Sequence, residues 1–265
     1  GVRVAVKELD PAIRGVHRAY DANTGKEIWN FWTIPGPGEL GHATWPQNND
    51  AWKYGGAPVW QTPSVDPELG MIYFSTGNAG PDLNGAIRTG DNLFAASLVA
   101  LDAATGQYRW HYQVVRHDIW DYDAPNPTIL FDAEYDGMPR KGVAVVSKAG
   151  YLYLLDRVTG VPLTPVVETP VPQDRVQQTA ASQPIPQGDQ VIRHDIEVVG
   201  ENFEGVLRNA GRTFTPFNSE LEAIWRPFSG VTWHPSSYNV ESNLMYICAG
   251  DGPGRGRGGD PNAMV

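Results

Sequence analysis

The densest group of chemically capable side chains is His117-Asp118-Ile119-Trp120-Asp121-Tyr122-Asp123. A carboxylate there could take the proton of a hydroxyl or ligate a hard cation. Asp121 and Asp123 stand two residues apart, so in an extended segment both would face the same side. The plainer reading of these aspartates is a solvated acidic loop. Asn78, in Gly77-Asn78-Ala79-Gly80, offers a neutral amide oxygen that suits a hard cation without adding charge. Asn in such a turn also serves simply for its permissive backbone. Trp60 has a flat face for a planar ligand, or a bulky one for a core. Lys148, in Ser147-Lys148-Ala149-Gly150, could direct positive charge at a developing anion or lie exposed between strands.

The elements that must hold these residues read as strands. Short runs rich in β-branched and aromatic residues recur between turn signals: residues 70–75, 97–101, 143–146 and 151–155. Helical periodicity is hard to find. Two repeats organise the strands. Asp21-Ala22-Asn23-Thr24-Gly25-Lys26-Glu27-Ile28-Trp29 is echoed by Asp102-Ala103-Ala104-Thr105-Gly106-Gln107-Tyr108-Arg109-Trp110, and Asp156-Arg157-Val158-Thr159-Gly160 is a third copy without the Trp. Each reads as a strand, a tight turn and a return strand. The Asp caps the turn, the Gly takes a left-handed backbone and the Trp points into a packing layer. A second, looser repeat relates the segment beginning Trp60-Gln61-Thr62-Pro63-Ser64 to that beginning Trp233-His234-Pro235-Ser236-Ser237.

Repeated antiparallel units with a periodic Trp-bearing turn are how propeller blades read in sequence. The expected fold is all-β, built of four-stranded antiparallel blades in one domain over residues 1–265. Roughly four blade-like units are legible. The Pro- and Gln-rich stretch 161–212 reads as an extended inter-blade excursion. A sandwich or solenoid is the plainer all-β alternative.

The 265 residues carry a net charge of −10, which argues against nucleic acid or another polyanion as partner. Arg255-Gly256-Arg257-Gly258-Gly259 faintly resembles an RNA-binding run and is read as a flexible loop. The lone Cys248 forms no internal disulfide. No apolar run approaches a membrane span.

The Trp-bearing turn resembles the tryptophan-docking motif of the PQQ-dependent (quinoprotein) alcohol and glucose dehydrogenases, which are eight-bladed propellers. Residues 55–60, Ser75-Thr76-Gly77-Asn78-Ala79-Gly80-Pro81, residues 88–92 and His117 to Asp123 match that family's signatures in order and near its spacing. The resemblance implies PQQ (pyrroloquinoline quinone) with calcium or a lanthanide ion, and oxidation of an alcohol, polyol or sugar hydroxyl. Trp60 would be the floor under the cofactor, and Lys148 the cation at its reactive carbonyl. Asp121 would be the catalytic base. Asn78, Asp121, Asp123 and, with a two-residue displacement in which Asp10 could substitute, Glu8 would be metal ligands. Asp123 suits a trivalent ion but also occurs in sugar-oxidising members. Further implications are a cytochrome or quinone electron acceptor, a periplasmic location, and remaining blades or a partner chain to complete the ring. Family members run to roughly twice this length by ordinary blade sizes, and their adjacent cysteines have no counterpart here, so the chain reads as part of a propeller. The alternatives are a non-catalytic β-propeller scaffold, or a degenerate quinoprotein fragment that keeps the motifs and binds nothing.

Overall fold

A computed structural model describes residues 14–194, 212–216, 224–227, 230–250 and 253–256. The strands are β1 (Val16–Tyr20), β2 (Glu27–Trp32), β3 (Ser64–Asp66), β4 (Met71–Ser75), β5 (Ser97–Asp102), β6 (Tyr108–Gln113), β7 (Ile129–Tyr135), β8 (Met138–Val146) and β9 (Leu152–Asp156). They continue with β10 (Val166–Pro170), β11 (Ser182–Pro186), β12 (Ile224–Pro227), β13 (Ser237–Asn239), β14 (Leu244–Tyr246) and β15 (Pro253–Gly256). All named pairings are antiparallel. The strands form a β1-β2 ribbon, the four-stranded sheet β3-β4-β5-β6, the three-stranded sheet β7-β8-β9 and three further two-stranded ribbons.

Sequence dictates why β4 and β5 are buried on both faces. They read Met-Ile-Tyr-Phe-Ser and Ser-Leu-Val-Ala-Leu-Asp, apolar at nearly every position, so each face can serve a different neighbour. Tyr73, Leu98, Ala100 and Trp110 join Val143, Val145, Tyr153 and Leu155 of the next sheet in one core. Ile72, Phe74, Val99 and Leu101 point the other way and join Trp29 in a second. The sheets are therefore stacked face to face, as blades are.

The repeated Asp turn stitches this stack together. Asp21, Asp102 and Asp156 each accept, through Oδ1, the backbone N–H groups two and three residues on and a Thr hydroxyl. Gly25, Gly106 and Gly160 all have φ near +70°. Trp29 lies over the Gly106 turn and donates Nε1–H to the Ala103 carbonyl at 3.0 Å. Trp110 does the same over Gly160, with its N–H on the Arg157 carbonyl at 3.2 Å. Gly25 has open space around it, with no indole over it among the described residues.

The β3-β4-β5-β6 sheet has the expected four strands; the β7-β8-β9 sheet has three, with the β13-β14 ribbon beside it, where the Tyr238 hydroxyl donates to the Asp132 carbonyl. One expectation needs correction: Arg255 and Gly256, read as part of a flexible loop, pair with β12; Gly and Arg have weak local preferences that strand pairing overrides. Within 161–194, the β10-β11 ribbon is fastened to the loop after β6 by two Arg116–Glu168 hydrogen bonds of 2.6 Å.

The topology fixes where chemistry can occur. The Asp turns cap one rim. The opposite rim gathers the start of β3, the ends of β4, β6 and β8, and the start of β7. Ser64 and Ser75 hydroxyls tie this rim across sheets, donating to the Thr128 and Asn126 carbonyls at 2.6 and 2.9 Å.

Candidate active site at the blade rim

Trp60 leads into β3, Asn78 follows β4, the 117–123 loop joins β6 to β7, and Lys148 turns the chain from β8 to β9. Residues far apart in sequence thereby reach one rim. The Trp60 indole donates Nε1–H to Asp123 Oδ2 at 3.1 Å. Lys148 Nζ bridges Asp121 Oδ1 at 2.9 Å and Asp123 Oδ1 at 3.4 Å. The Lys148 amide also donates to the Asp123 carbonyl at 2.9 Å, which locks this turn to the loop. Gly77 lies so close that a Cβ there would stand 3.0 Å from Asp123 Oδ2; the turn before Asn78 needs its glycine.

Asp121 and Asp123 do come together, though not because the segment is extended. Asp121 has φ +61°, a left-handed backbone that costs a non-Gly residue about 1–2 kcal/mol. The loop is wrapped around Asp118, whose fully buried carboxylate accepts the N–H of Trp120 at 2.9 Å and of Tyr122 at 2.8 Å. Arg88, equally buried, donates to the Asp118 carbonyl at 2.5 Å, to the Pro81 carbonyl at 2.9 Å and to Asn92 Oδ1 at 2.8 Å.

The electrostatics are dominated by burial. Desolvation raises Asp118 to about 6 against the pull of the two N–H groups that it accepts. Asp123, only 4% exposed, is pushed well above the usual carboxylate range by desolvation and by Asp121 beside it, which Lys148 only partly offsets. Burial works against the Lys148 charge, but Asp123 and Asp121 outweigh it and hold the ammonium above its ordinary value. One ammonium shared between two carboxylates keeps its proton while leaving the buried one short of positive charge. Desolvation also raises Asp82, aided by Asp121 and opposed by its Asn78 hydrogen bond. Burial lowers Arg88 to about 10, against the pull of Asp118 and Asp82.

Four carboxylates (Asp82, Asp118, Asp121 and Asp123) thus interact here with two cations, Arg88 and Lys148. Asn78 donates Nδ2 to Asp82 Oδ1 at 2.8 Å and to the Ala79 carbonyl at 3.2 Å, which leaves its Oδ1 with no donor among the described residues. Two carboxylates and an acceptor-only amide oxygen are the donor types that a hard cation takes. No three His, Cys, Asp or Glu side chains among the described residues stand close enough to hold a metal by themselves, so any cation here draws on Asn78 or on groups beyond them. Glu8 and Asp10 lie outside the described residues.

A cavity of about 540 Å³ opens against Asp121, Tyr122 and Lys148, with Thr232, Trp233, His234 and Cys248 on its far wall. That is within the ~300–1,000 Å³ of small-molecule sites. Trp60, Asn78 and Asp123 are not in its lining; Trp60 connects to it through Asp123 and then Lys148. Sequence reasoning gave no role to Asp82, Asp118, Arg88 or the far wall. The repeat equating Trp233 with Trp60 was the available signal for that wall. Nothing in the sequence distinguished Asp118 from its two neighbouring aspartates.

Stacked antiparallel blades with indole-capped turns, and an acidic and aromatic cluster at the opposite rim, define a β-propeller segment. The chain belongs to the PQQ-dependent glucose/ethanol/alcohol dehydrogenase β-propeller family, whose model matches residues 2–255. It is 33% identical over 249 residues to the quinohemoprotein alcohol dehydrogenase ADH-IIG of Pseudomonas putida, covering 89% of this chain and 32% of that one. It is 36% identical over 179 residues to the quinoprotein glucose dehydrogenase of Gluconobacter oxydans, covering 65% of this chain and 22% of that one. The solved quinohemoprotein alcohol dehydrogenase of Comamonas testosteroni superposes with a TM-score of 0.66 at 30% identity, covering 91% of this chain and 34% of that one. A europium-containing methanol dehydrogenase gives a TM-score of 0.55 at 25% identity, covering 89% and 44%. The fold is thus all-β and part of a propeller. The chain spans about a third of the length of the curated relatives that it matches over most of its own.

Proposed function

We propose that this chain forms the cofactor-side part of a PQQ-dependent dehydrogenase that oxidises an alcohol, polyol or sugar hydroxyl. The observation that carries the reading is the connected set Trp60–Asp123–Lys148–Asp121, of which Lys148 and Asp121 line one cavity. When bound, PQQ with calcium or a lanthanide supplies the electron sink that accepts hydride from the substrate carbon.

The chain's own residues do the rest. Asp121, with a side chain 34% exposed, receives the hydroxyl proton on a carboxylate oxygen. Lys148 stays protonated between its carboxylates and offers positive charge to an oxygen that gains electron density. Trp60 provides a flat apolar face and orients Asp123 through its N–H. Asn78 Oδ1, Asp121 and Asp123 would hold the cation. Their surplus negative charge supports a highly charged ion, and calcium remains within the same donor chemistry. Electrons then leave to a cytochrome or quinone, in a periplasmic setting, with the remaining blades or a partner chain closing the ring.

The test is turnover of alcohols and sugars by the purified protein with PQQ, calcium or lanthanum and a dye acceptor. Asp121→Asn is expected to abolish turnover while cofactor stays bound; full retained activity would refute the assignment.

A further inference from the structure

We infer that Asp118 is a positioning residue that sets the geometry of the Asp121–Asp123 carboxylate pair and so the cation affinity of the site; this rests on the reading of that pair as cation ligands. Its two oxygens are spent on the N–H groups of Trp120 and Tyr122, which bracket Asp121 on either side. That bracket holds Asp121 in its left-handed backbone, which is less costly for an aspartate than for most residues but still sparsely populated. At the loop's other end the Lys148 amide fixes the Asp123 carbonyl. The carboxylate pair is therefore pinned on both sides, and Asp118 supplies one of the pins.

Arg88 extends the device. The same guanidinium grips the Asp118 carbonyl, the Pro81 carbonyl and Asn92, so the loop that follows Asn78 and the loop that carries Asp121 are fastened to one buried group. Asp118 does not line the cavity and makes no hydrogen bond to Lys148, so beyond the charge that it adds near Lys148 and Asp123 it acts through the backbone that it holds. A purely structural capping aspartate would also accept backbone N–H groups. The distinction is that both bonds flank one residue of the site, so a loosened clamp displaces that residue before it unfolds a sheet.

The experiment titrates Tb³⁺ into the full chain and reads terbium luminescence sensitised by indole excitation, with thermal melts in parallel. Wild type is expected to give saturable emission, because Trp60 bonds to Asp123. Asp118→Asn keeps the shape but exchanges one acceptor for a donor, and it should weaken Tb³⁺ half-saturation 10–100-fold, the scale of lost supporting hydrogen bonds at metal sites. Unchanged affinity in a folded Asp118→Asn protein overturns the inference. Absence of saturable emission in wild type overturns instead the cation-site reading beneath it. Should Asp118→Asn not fold, Arg88→Lys loosens the same clamp and should weaken Tb³⁺ binding likewise. Unaltered binding there, or collapse of both variants, overturns the positioning role.

Discussion

Two glycine substitutions separate backbone strain from indole docking. Gly25 and Gly106 occupy the same position of the same turn, at φ +69° and +71°. Ala at either should cost about 1–2 kcal/mol for the left-handed backbone, slightly reduced by lost unfolded-state entropy. They differ in what a Cβ would meet. At Gly25 it meets nothing within 4 Å, whereas at Gly106 it would stand 2.6 Å from Trp29 Cδ2. The Trp29 ring must then lift, straining its N–H bond to the Ala103 carbonyl and exposing part of a side chain now only 8% exposed. Full truncation of a buried Trp costs about 3–5 kcal/mol, so partial unseating should add roughly 2–3 kcal/mol. Urea unfolding followed by circular dichroism and by indole fluorescence measures both variants. Gly106→Ala should lose that much more stability than Gly25→Ala, with red-shifted emission. Equal losses, within about 0.5 kcal/mol, would refute indole docking as what fastens these blades.

Other expectations follow from buried charge. Arg157→Met leaves Asp66, 4% exposed, without its guanidinium partner and should cost about 3–5 kcal/mol in urea unfolding. Lys148→Met leaves Asp123 buried beside Asp121 and should cost about 1–3 kcal/mol at pH 8; the loss should shrink at pH 5, as Asp123, already shifted upward, takes up a proton. His17 packs on Phe74 at 4.5 Å, and burial lowers it to about 4. Its unfolded-state value is higher, so its share of stability is full above about 6.5 and is lost as pH falls toward 4, at most about 3 kcal/mol. Stability of His17→Leu should depend less on pH across that window.

The strands were legible because β4, β5, β8 and β9 are compact apolar runs between turn residues, and the Asp turns because their chemistry is local. The expectation that Trp60, Asn78, Asp121 and Lys148 share one site came only from the order of several motifs. Their actual link, one ammonium between two carboxylates with an indole on the second, depends on blade stacking that no local pattern encodes. The same holds for Arg88, whose charge reads as surface but whose side chain is fully buried among carbonyls. The left-handed backbone at Asp121 was illegible for a related reason: it is imposed by Asp118, not by the residue that bears it.

The central claim is tested most directly by titrating the chain with PQQ in the presence of lanthanum or calcium and following quinone absorbance together with indole quenching. The account predicts saturable, metal-dependent binding that is lost in Trp60→Ala and in Asp123→Asn while both variants keep the wild-type circular dichroism. Binding that is indifferent to metal and to these two side chains would contradict it.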